Sequence, residues 1–204
     1  MRVGLLGGSF NPPHVGHLQV ARAAREALRL DAVWLVPAAR PPHKPDHPEM
    51  AAAEDRLAMS RLATREEGLG VCDVELLRSG PSYTIDTVRE LKAAHPGTRF
   101  AWLVGSDSVD ELPTWRRAQE LLREVDVVVV TRPGHDLEAN LAVVAGALGA
   151  EAADLLRRFV VEVEAPVSST EVRRRIRAGE PWEDQVPPAV AEYIRSRGLY
   201  RRSA

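Results

Sequence analysis

Short apolar, β-branched runs recur along the chain, and stretches of helical periodicity separate them. The runs fall at 3–6, 32–36, 70–74, 100–104, 125–130 and 159–163. Helical patterns lie at 17–29, 49–65, 84–94 and 114–123, with a longer one across 137–157. Such alternation is the pattern of parallel strands joined by crossover helices. Ala32 to Val36 and Val127 to Val130 are apolar throughout, as strands covered on both faces must be. The expected fold is therefore α/β, a doubly wound open parallel sheet with a C-terminal helical segment. Pro187-Pro188 opens that last helix and Gly198 stops it. No repeat or linker interrupts the pattern, so residues 1–204 read as one domain.

In such sheets ligands bind beyond the carboxyl ends of the strands, so chemistry is expected in the loops that follow them. The first strand runs into Gly7-Gly8-Ser9-Phe10-Asn11-Pro12-Pro13-His14-Val15-Gly16-His17, and then a helix begins. Glycines after a strand let the backbone approach a ligand. A helix N-terminus adds N–H groups and a positive dipole end, which together point to a triphosphate cradle. The segment is neither a Walker loop nor G-x-G-x-x-G. What it offers is two imidazoles three residues apart, His14 and His17, at the mouth of a phosphate-sized pocket. Either can donate a hydrogen bond to a phosphate oxygen and gain strength as charge builds there. Taken alone, the pair also fits two surface histidines at a helix start, or a metal pair. The loop offers no carboxylate or thiolate to complete a metal site.

Far downstream, Ser168-Ser169-Thr170-Glu171-Val172-Arg173 predicts another helix start, with Ser168 and Glu171 at capping-box spacing. At ~100° per residue, Ser169 lies about 40° from Arg173 and Thr170 about 60° from it, while Val172 and Ile176 mark the buried side. Two hydroxyls and a guanidinium thus share one face, a second candidate anion site. Arg174, Arg175 and Arg177 read as a solvated basic face.

Composition narrows the classes. The 27 Lys+Arg nearly balance 29 Asp+Glu, for a net charge of −2, which argues against a dedicated nucleic-acid binder. With 45% apolar residues the chain can bury a core and lacks the signature of disorder. The longest membrane-like stretch, 141–150, is far shorter than the ~20 residues of a spanning helix. The N-terminus turns glycine-rich before any secretory apolar core, so no signal peptide is expected. The single cysteine, Cys72, cannot form an internal disulfide and reads as a buried inert thiol. These features fit the cytoplasm and no membrane partner; the oligomeric state, a homo-oligomer included, stays open.

His14-Val15-Gly16-His17 together with Ser168-Ser169-Thr170-Glu171-Val172-Arg173 resembles the nucleotidyltransferases that carry H-x-G-H on the first strand and S-S-T-x-x-R near the C-terminus. The resemblance implies a Rossmann-like nucleotidyltransferase fold. It also implies adenylyl transfer by direct attack of one phosphate on the α-phosphate of ATP, with no protein nucleophile. By the same likeness His14, His17 and Arg173 are catalytic, and Ser169, Thr170 and Arg173 hold the ATP phosphates. Two unit charges ~4 Å apart repel by about 4 kcal/mol at an effective dielectric of ~20, so cations are expected to line the site. Those cations are His14, His17, Lys44, Arg173 and a Mg2+ carried on the ATP phosphates.

Four further segments bear on the acceptor: Pro41-Pro42-His43-Lys44, Ser82-Tyr83-Thr84-Ile85-Asp86-Thr87, Gly105-Ser106-Asp107 and Pro113-Thr114-Trp115. Taken alone they fit a polar turn, a helix cap and a core indole. Taken jointly, and across nearly the whole chain, they resemble the bacterial nicotinate-nucleotide adenylyltransferases, which join nicotinate mononucleotide to ATP in NAD biosynthesis. The resemblance implies that His43 and Lys44 hold the mononucleotide phosphate. It assigns Thr84, Trp115 and the backbone of Arg116 to the pyridine ring and its carboxylate. Gly8, Ser9, Phe10, Gly105, Asp107 and Arg132 fall to the nucleotide pocket. Two departures stand out: Ala38-Ala39 where relatives often have asparagine, and Pro13 where a branched apolar residue is usual. Phosphopantetheine adenylyltransferase is the nearest rival, though that group usually has Thr at the position of His14. A module that binds nucleotide without turnover is the rival from another class.

Overall fold

The computed structural model describes residues 1–41, 49–65, 68–132 and 134–201. Its strands are β1 (Arg2–Gly8), β2 (Ala32–Pro37), β3 (Leu69–Val71), β4 (Arg99–Gly105), β5 (Asp126–Thr131) and β6 (Val160–Glu162). They form one six-stranded sheet in the order β3-β2-β1-β4-β5-β6, every neighbouring pair parallel. The order reverses between β1 and β4, which opens a crevice beyond their carboxyl ends. The principal helices are α1 (Val15–Ala27), α2 (Ala53–Ala63), α3 (Val74–Leu77), α4 (Thr84–Ala94) and α5 (Ala118–Glu124). Four more follow, α6 (Leu137–Leu148), α7 (Ala150–Arg157), α8 (Ser169–Ala178) and α9 (Pro188–Arg197).

The two-residue period of β4 shows how the sheet is covered. Phe100, Trp102 and Val104 join a core with Ile85, Val88 and Leu91 of α4 and Leu121 of α5. Ala101 and Leu103 join the opposite core with Ala21 and Ala24 of α1. Both faces are therefore buried, which is why these strands carry no polar alternation. A third cluster joins Leu18 of α1, Met59 of α2, Val172 of α8 and Ile194 of α9. Each such side chain contributes roughly 1.5–3 kcal/mol on burial. This cluster sets α8 beside α1 and so brings together two segments more than a hundred and fifty residues apart.

Several boundaries are displaced by a few residues, three of them for a visible reason. Residues 70–74 were expected as one strand, but β3 ends at Val71. Cys72 makes a last ladder bond to the Leu35 carbonyl (2.8 Å), and Val74 already begins α3. The pattern at 114–123 becomes helical only from Ala118, because Pro113 lies in a 3-10 turn and Arg117 is left-handed (φ 55°). The pattern at 137–157 breaks into α6 and α7 at Gly149 (φ 93°, ψ 159°), a backbone state that side-chain-bearing residues rarely adopt. At the chain end, Pro188 opens α9 and left-handed Gly198 closes it, as expected. Among the described residues no helix is long and apolar enough to cross a membrane.

Candidate active site

The loop after β1 is fixed from outside itself. The Trp102 indole occupies the space a Gly7 side chain would need, so only glycine lets β1 and β4 close here. Phe10 turns left-handed (φ 46°) and drops its ring into the core. Asn11 is buried: its Oδ1 accepts from the Ala51 N–H (3.0 Å) and the Tyr200 hydroxyl (2.9 Å), and its amide donates to the Glu49 carbonyl (2.9 Å). Arg56 of α2 is 1% exposed and donates to the carbonyls of Ser9 (2.8 Å), Ala38 (2.7 Å), Ala39 (3.2 Å) and Ala51 (3.1 Å). A guanidinium with its donors so engaged is a tie between the β1 loop and the β2 loop.

His14 is the N-cap residue of α1, and His17 lies one turn on. Their rings stack at 3.7 Å with 25° between planes, and Phe10 meets His17 edge-on at 4.9 Å. The His14 N–H donates to His17 Nδ1 (3.2 Å), so neutral His17 carries its proton on Nε2. Burial, and then Arg132, lower His14 from 6.5 to about 4. Burial, and then His14, hold His17 well below its usual value. Both imidazoles are neutral at pH 7, so the expectation that they line the site as cations is corrected: in the free chain they are hydrogen-bond groups. Two imidazolium rings in this stack would repel in a medium that screens poorly.

The second motif meets the first directly. Ser169 Oγ donates to the Pro12 carbonyl (2.8 Å), and Arg173 Nη1 to the Asn11 carbonyl (2.8 Å). A Cβ on Gly16 would stand 3.0 Å from His14 Nδ1 and 3.3 Å from the Val167 carbonyl, so this glycine permits the close approach of the α8 segment. Arg173 is buried, with Nε on the Glu49 carboxylate (3.0 Å) and Nη2 toward Thr170 Oγ1 (3.5 Å). The expected capping box forms by half. Ser168 Oγ accepts from the Glu171 N–H (3.2 Å), but the Glu171 carboxylate is taken by Arg174 and Arg175. Arg174 and Arg175 thus face outward as expected, while Arg177 pairs with Glu49.

A cavity of about 270 Å³ opens beside this corner, at the ends of β1 and β4. Gly8, Ser9, Glu75, Thr84, Trp115 and Arg116 are among its walls. Thr84 is the first residue of α4, Trp115 Nε1 is buried with no acceptor among the described residues, and the Arg116 guanidinium lies 4.8 Å over the Tyr83 ring. Ser82 Oγ accepts from the Ala39 N–H (3.0 Å), while Arg56 holds the Ala38 and Ala39 carbonyls. The backbone at 38 and 39 is thus held from both sides. Gly105 leads into the Ser106–Ser108 turn, where Asp107 folds back over Gly105 and Asn140 donates to the Ser106 carbonyl (2.6 Å). Arg132 follows β5, exposed, close enough to act on His14. His43 and Lys44 lie outside the described residues. Among the described residues no group of three or more His, Cys, Asp or Glu stands where it could hold a metal.

The structure thus brings the expected residues together in two groups: His14 and His17 with the α8 start, and Gly8, Ser9, Thr84, Gly105, Trp115 and Arg116 around the cavity. Asn11, Glu49, Arg56, Glu75 and Tyr200 were not anticipated. For Arg56 a signal existed: with Met59 and Ala63 it shares the buried face of α2 at helical spacing.

A parallel sheet whose order reverses at β1, with two helix starts meeting at the switch point, is the architecture of a nucleotidyltransferase. The cytidylyltransferase-like family model matches residues 5–175. A probable nicotinate-nucleotide adenylyltransferase of Salinibacter ruber is 46% identical over 208 residues, covering 98% of each chain. One of Shouchella clausii is 42% identical over 200 residues, covering 98% of this chain and 96% of the relative. The chain belongs to the nicotinate-nucleotide adenylyltransferase family within the cytidylyltransferase-like group. The fold is also that of a Plasmodium falciparum nicotinic acid mononucleotide adenylyltransferase solved with APC, at TM-score 0.75, 17% identity and coverage of 98% and 96%.

Proposed function

We propose that the chain transfers the adenylyl group of ATP to nicotinate mononucleotide, giving deamido-NAD and pyrophosphate. An oxygen of the mononucleotide phosphate bonds to the α-phosphorus. The bridging P–O bond on the opposite side breaks, and pyrophosphate leaves with its electron pair. No protein nucleophile takes part, so the protein's work is positioning and charge stabilisation. The observation that carries this reading is the direct bonding of the α8 start to the H-x-G-H loop, through Ser169 to Pro12 and Arg173 to Asn11.

In this reading His17 donates from Nε2 to the phosphate chain, and the stacked His14 takes the same role beside it. Ser169, Thr170 and Arg173 hold the outer phosphates, with Gly8, Ser9 and Phe10 contributing backbone. The Phe10 side chain is buried and serves to support His17. Gly105, Asp107 and Arg132 receive the nucleoside end of ATP. Thr84, Trp115 and the Arg116 backbone receive the pyridine ring and its carboxylate, and His43 and Lys44 the mononucleotide phosphate. The ATP phosphates would carry Mg2+, which would offset their charge and which binds through substrate oxygens and water rather than a protein cage. Residues 1–204 act as one domain, in the cytoplasm, on small nucleotides. Incubation with ATP, Mg2+ and nicotinate mononucleotide is expected to release pyrophosphate and form deamido-NAD. Absence of both products overturns the assignment.

A further inference from the structure

The wall of the ring pocket contains one ionisable group for which adenylyl transfer has no use. Glu75, on α3, is 4% exposed and lines the cavity together with Thr84 and Trp115. Its Oε1 accepts the Thr87 hydroxyl (2.7 Å), and that hydroxyl accepts from Arg78 Nη2 (2.9 Å). Burial holds the carboxyl above the ordinary carboxylate value, and the Thr87 and Ser82 hydroxyls and the Arg78 guanidinium offset that rise only in part. Hydroxyls that donate toward a carboxyl need acceptor oxygens, and an ionised carboxylate presents them on both sides.

A carboxylate in the wall is a liability if the acceptor brings only a carboxylate of its own, because the two repel strongly in a poorly screened cavity. The acceptor brings more than that. A pyridine ring glycosylated at nitrogen is a cation, so nicotinate mononucleotide carries a positive ring beside its negative carboxylate. The pocket has the matching polarity. Glu75 supplies a negative group, and the α4 start at Thr84 and Arg116, which is shared with Asp86 (3.5 Å), supply positive ones. The faces of Trp115 and Tyr83 in the same lining add attraction for a cationic ring.

We propose that Glu75 is a specificity-determining residue, whose buried carboxylate selects the positively charged pyridinium acceptor over the neutral dihydropyridine form of the same mononucleotide. The proposal rests on the acceptor assigned above. Its test compares kcat/KM for nicotinate mononucleotide and for its 1,4-dihydro form, in the unaltered chain and in Glu75→Gln. Glutamine keeps the shape and an acceptor for Thr87 while removing the charge.

The unaltered chain is expected to prefer the pyridinium by about tenfold or more, and Glu75→Gln to lose about tenfold on the pyridinium and little on the dihydro form, with the KM for ATP unmoved. Glu75→Asp, which keeps the charge, is expected to keep the preference even where its overall rate falls. Equal losses on both acceptors would show a structural prop and overturn the proposal. A preference near one in the unaltered chain overturns it without any variant. No turnover of either acceptor by the unaltered chain would instead refute the acceptor assignment, and the proposal with it.

Discussion

The two halves of the crevice are built in opposite ways. At the phosphate corner, polar groups already engage one another: Ser169 holds Pro12, Arg173 holds Asn11 and Glu49, and His17 holds the backbone of His14. The ring pocket is an open cavity in which, among the described residues, Trp115 Nε1 has no acceptor, as His14 Nδ1 has no partner at the corner. A polyanion must therefore use donors left over or exchange with these bonds, since the one Ser169 O–H is already given to Pro12, whereas a flat ring needs only a shaped space. The corner thus stands on long-range hydrogen bonds, and the pocket on the packing of β4 and α4.

The largest expected effect separates the halves by kinetics. His17→Ala removes the Nε2 donor and leaves the cavity untouched, since His17 is not among its walls. Loss of one preorganised donor to a developing charge typically lowers kcat by about 10²–10³. Turnover should fall on that scale, with the KM for nicotinate mononucleotide changed little. A variant that instead loses acceptor affinity at constant kcat would show that the two halves are not independent.

A smaller effect is expected at the element that joins them. Arg56 ties Ser9 on the corner side to Ala38 and Ala39, which lead toward the acceptor loop. Arg56→Leu leaves four part-buried carbonyls without that donor, at a penalty of up to about 1–3 kcal/mol each before relaxation and water entry. A net loss of about 3 kcal/mol in urea unfolding is expected, together with weaker binding of both substrates. If only one substrate suffers, Arg56 serves one half and the tie is an incidental contact.

Arg56 also marks what the sequence could and could not reveal. Strand runs and helix starts are local, so the sheet and both motifs were legible to within a few residues. The meeting of the motifs was legible only as an implication of the resemblance, because Ser169 and Pro12 are 157 positions apart. Asn11 is held by Tyr200 across 189 positions, and no local pattern encodes such a pair. The spacing of Arg56 with Met59 and Ala63 pointed to the buried face of α2, but nothing local showed that its partners would be backbone carbonyls of two distant loops. The neutrality of the histidines escaped for a related reason, since charge state depends on burial and on the neighbouring ring rather than on residue type.

That neutrality gives the last and smallest effect, one confined to the corner. His14 has an ordinary value of 6.5 and a folded value of about 4. Well above pH 6.5 neither state binds the proton, and His14 has no influence on stability. As pH falls through 6.5 the unfolded chain takes up a proton that the folded corner refuses, so stability declines until about pH 4, where the folded form accepts it too. Between pH 7 and 5 this amounts to about 2 kcal/mol from His14, and His17 acts in the same direction. Urea unfolding of the unaltered chain should therefore weaken more over this window than that of His14→Asn, by about that amount. Parallel curves would mean that the rings are not held neutral by burial. Bound triphosphate reverses the balance, because negative charge beside the rings favours their protonated forms. ATP binding at pH 6 should then draw protons from the buffer, visible as a binding heat that changes with the buffer's ionisation enthalpy. Among the described residues no histidine lines the ring pocket, so proton uptake tied to the His14 and His17 rings should follow ATP and not the acceptor.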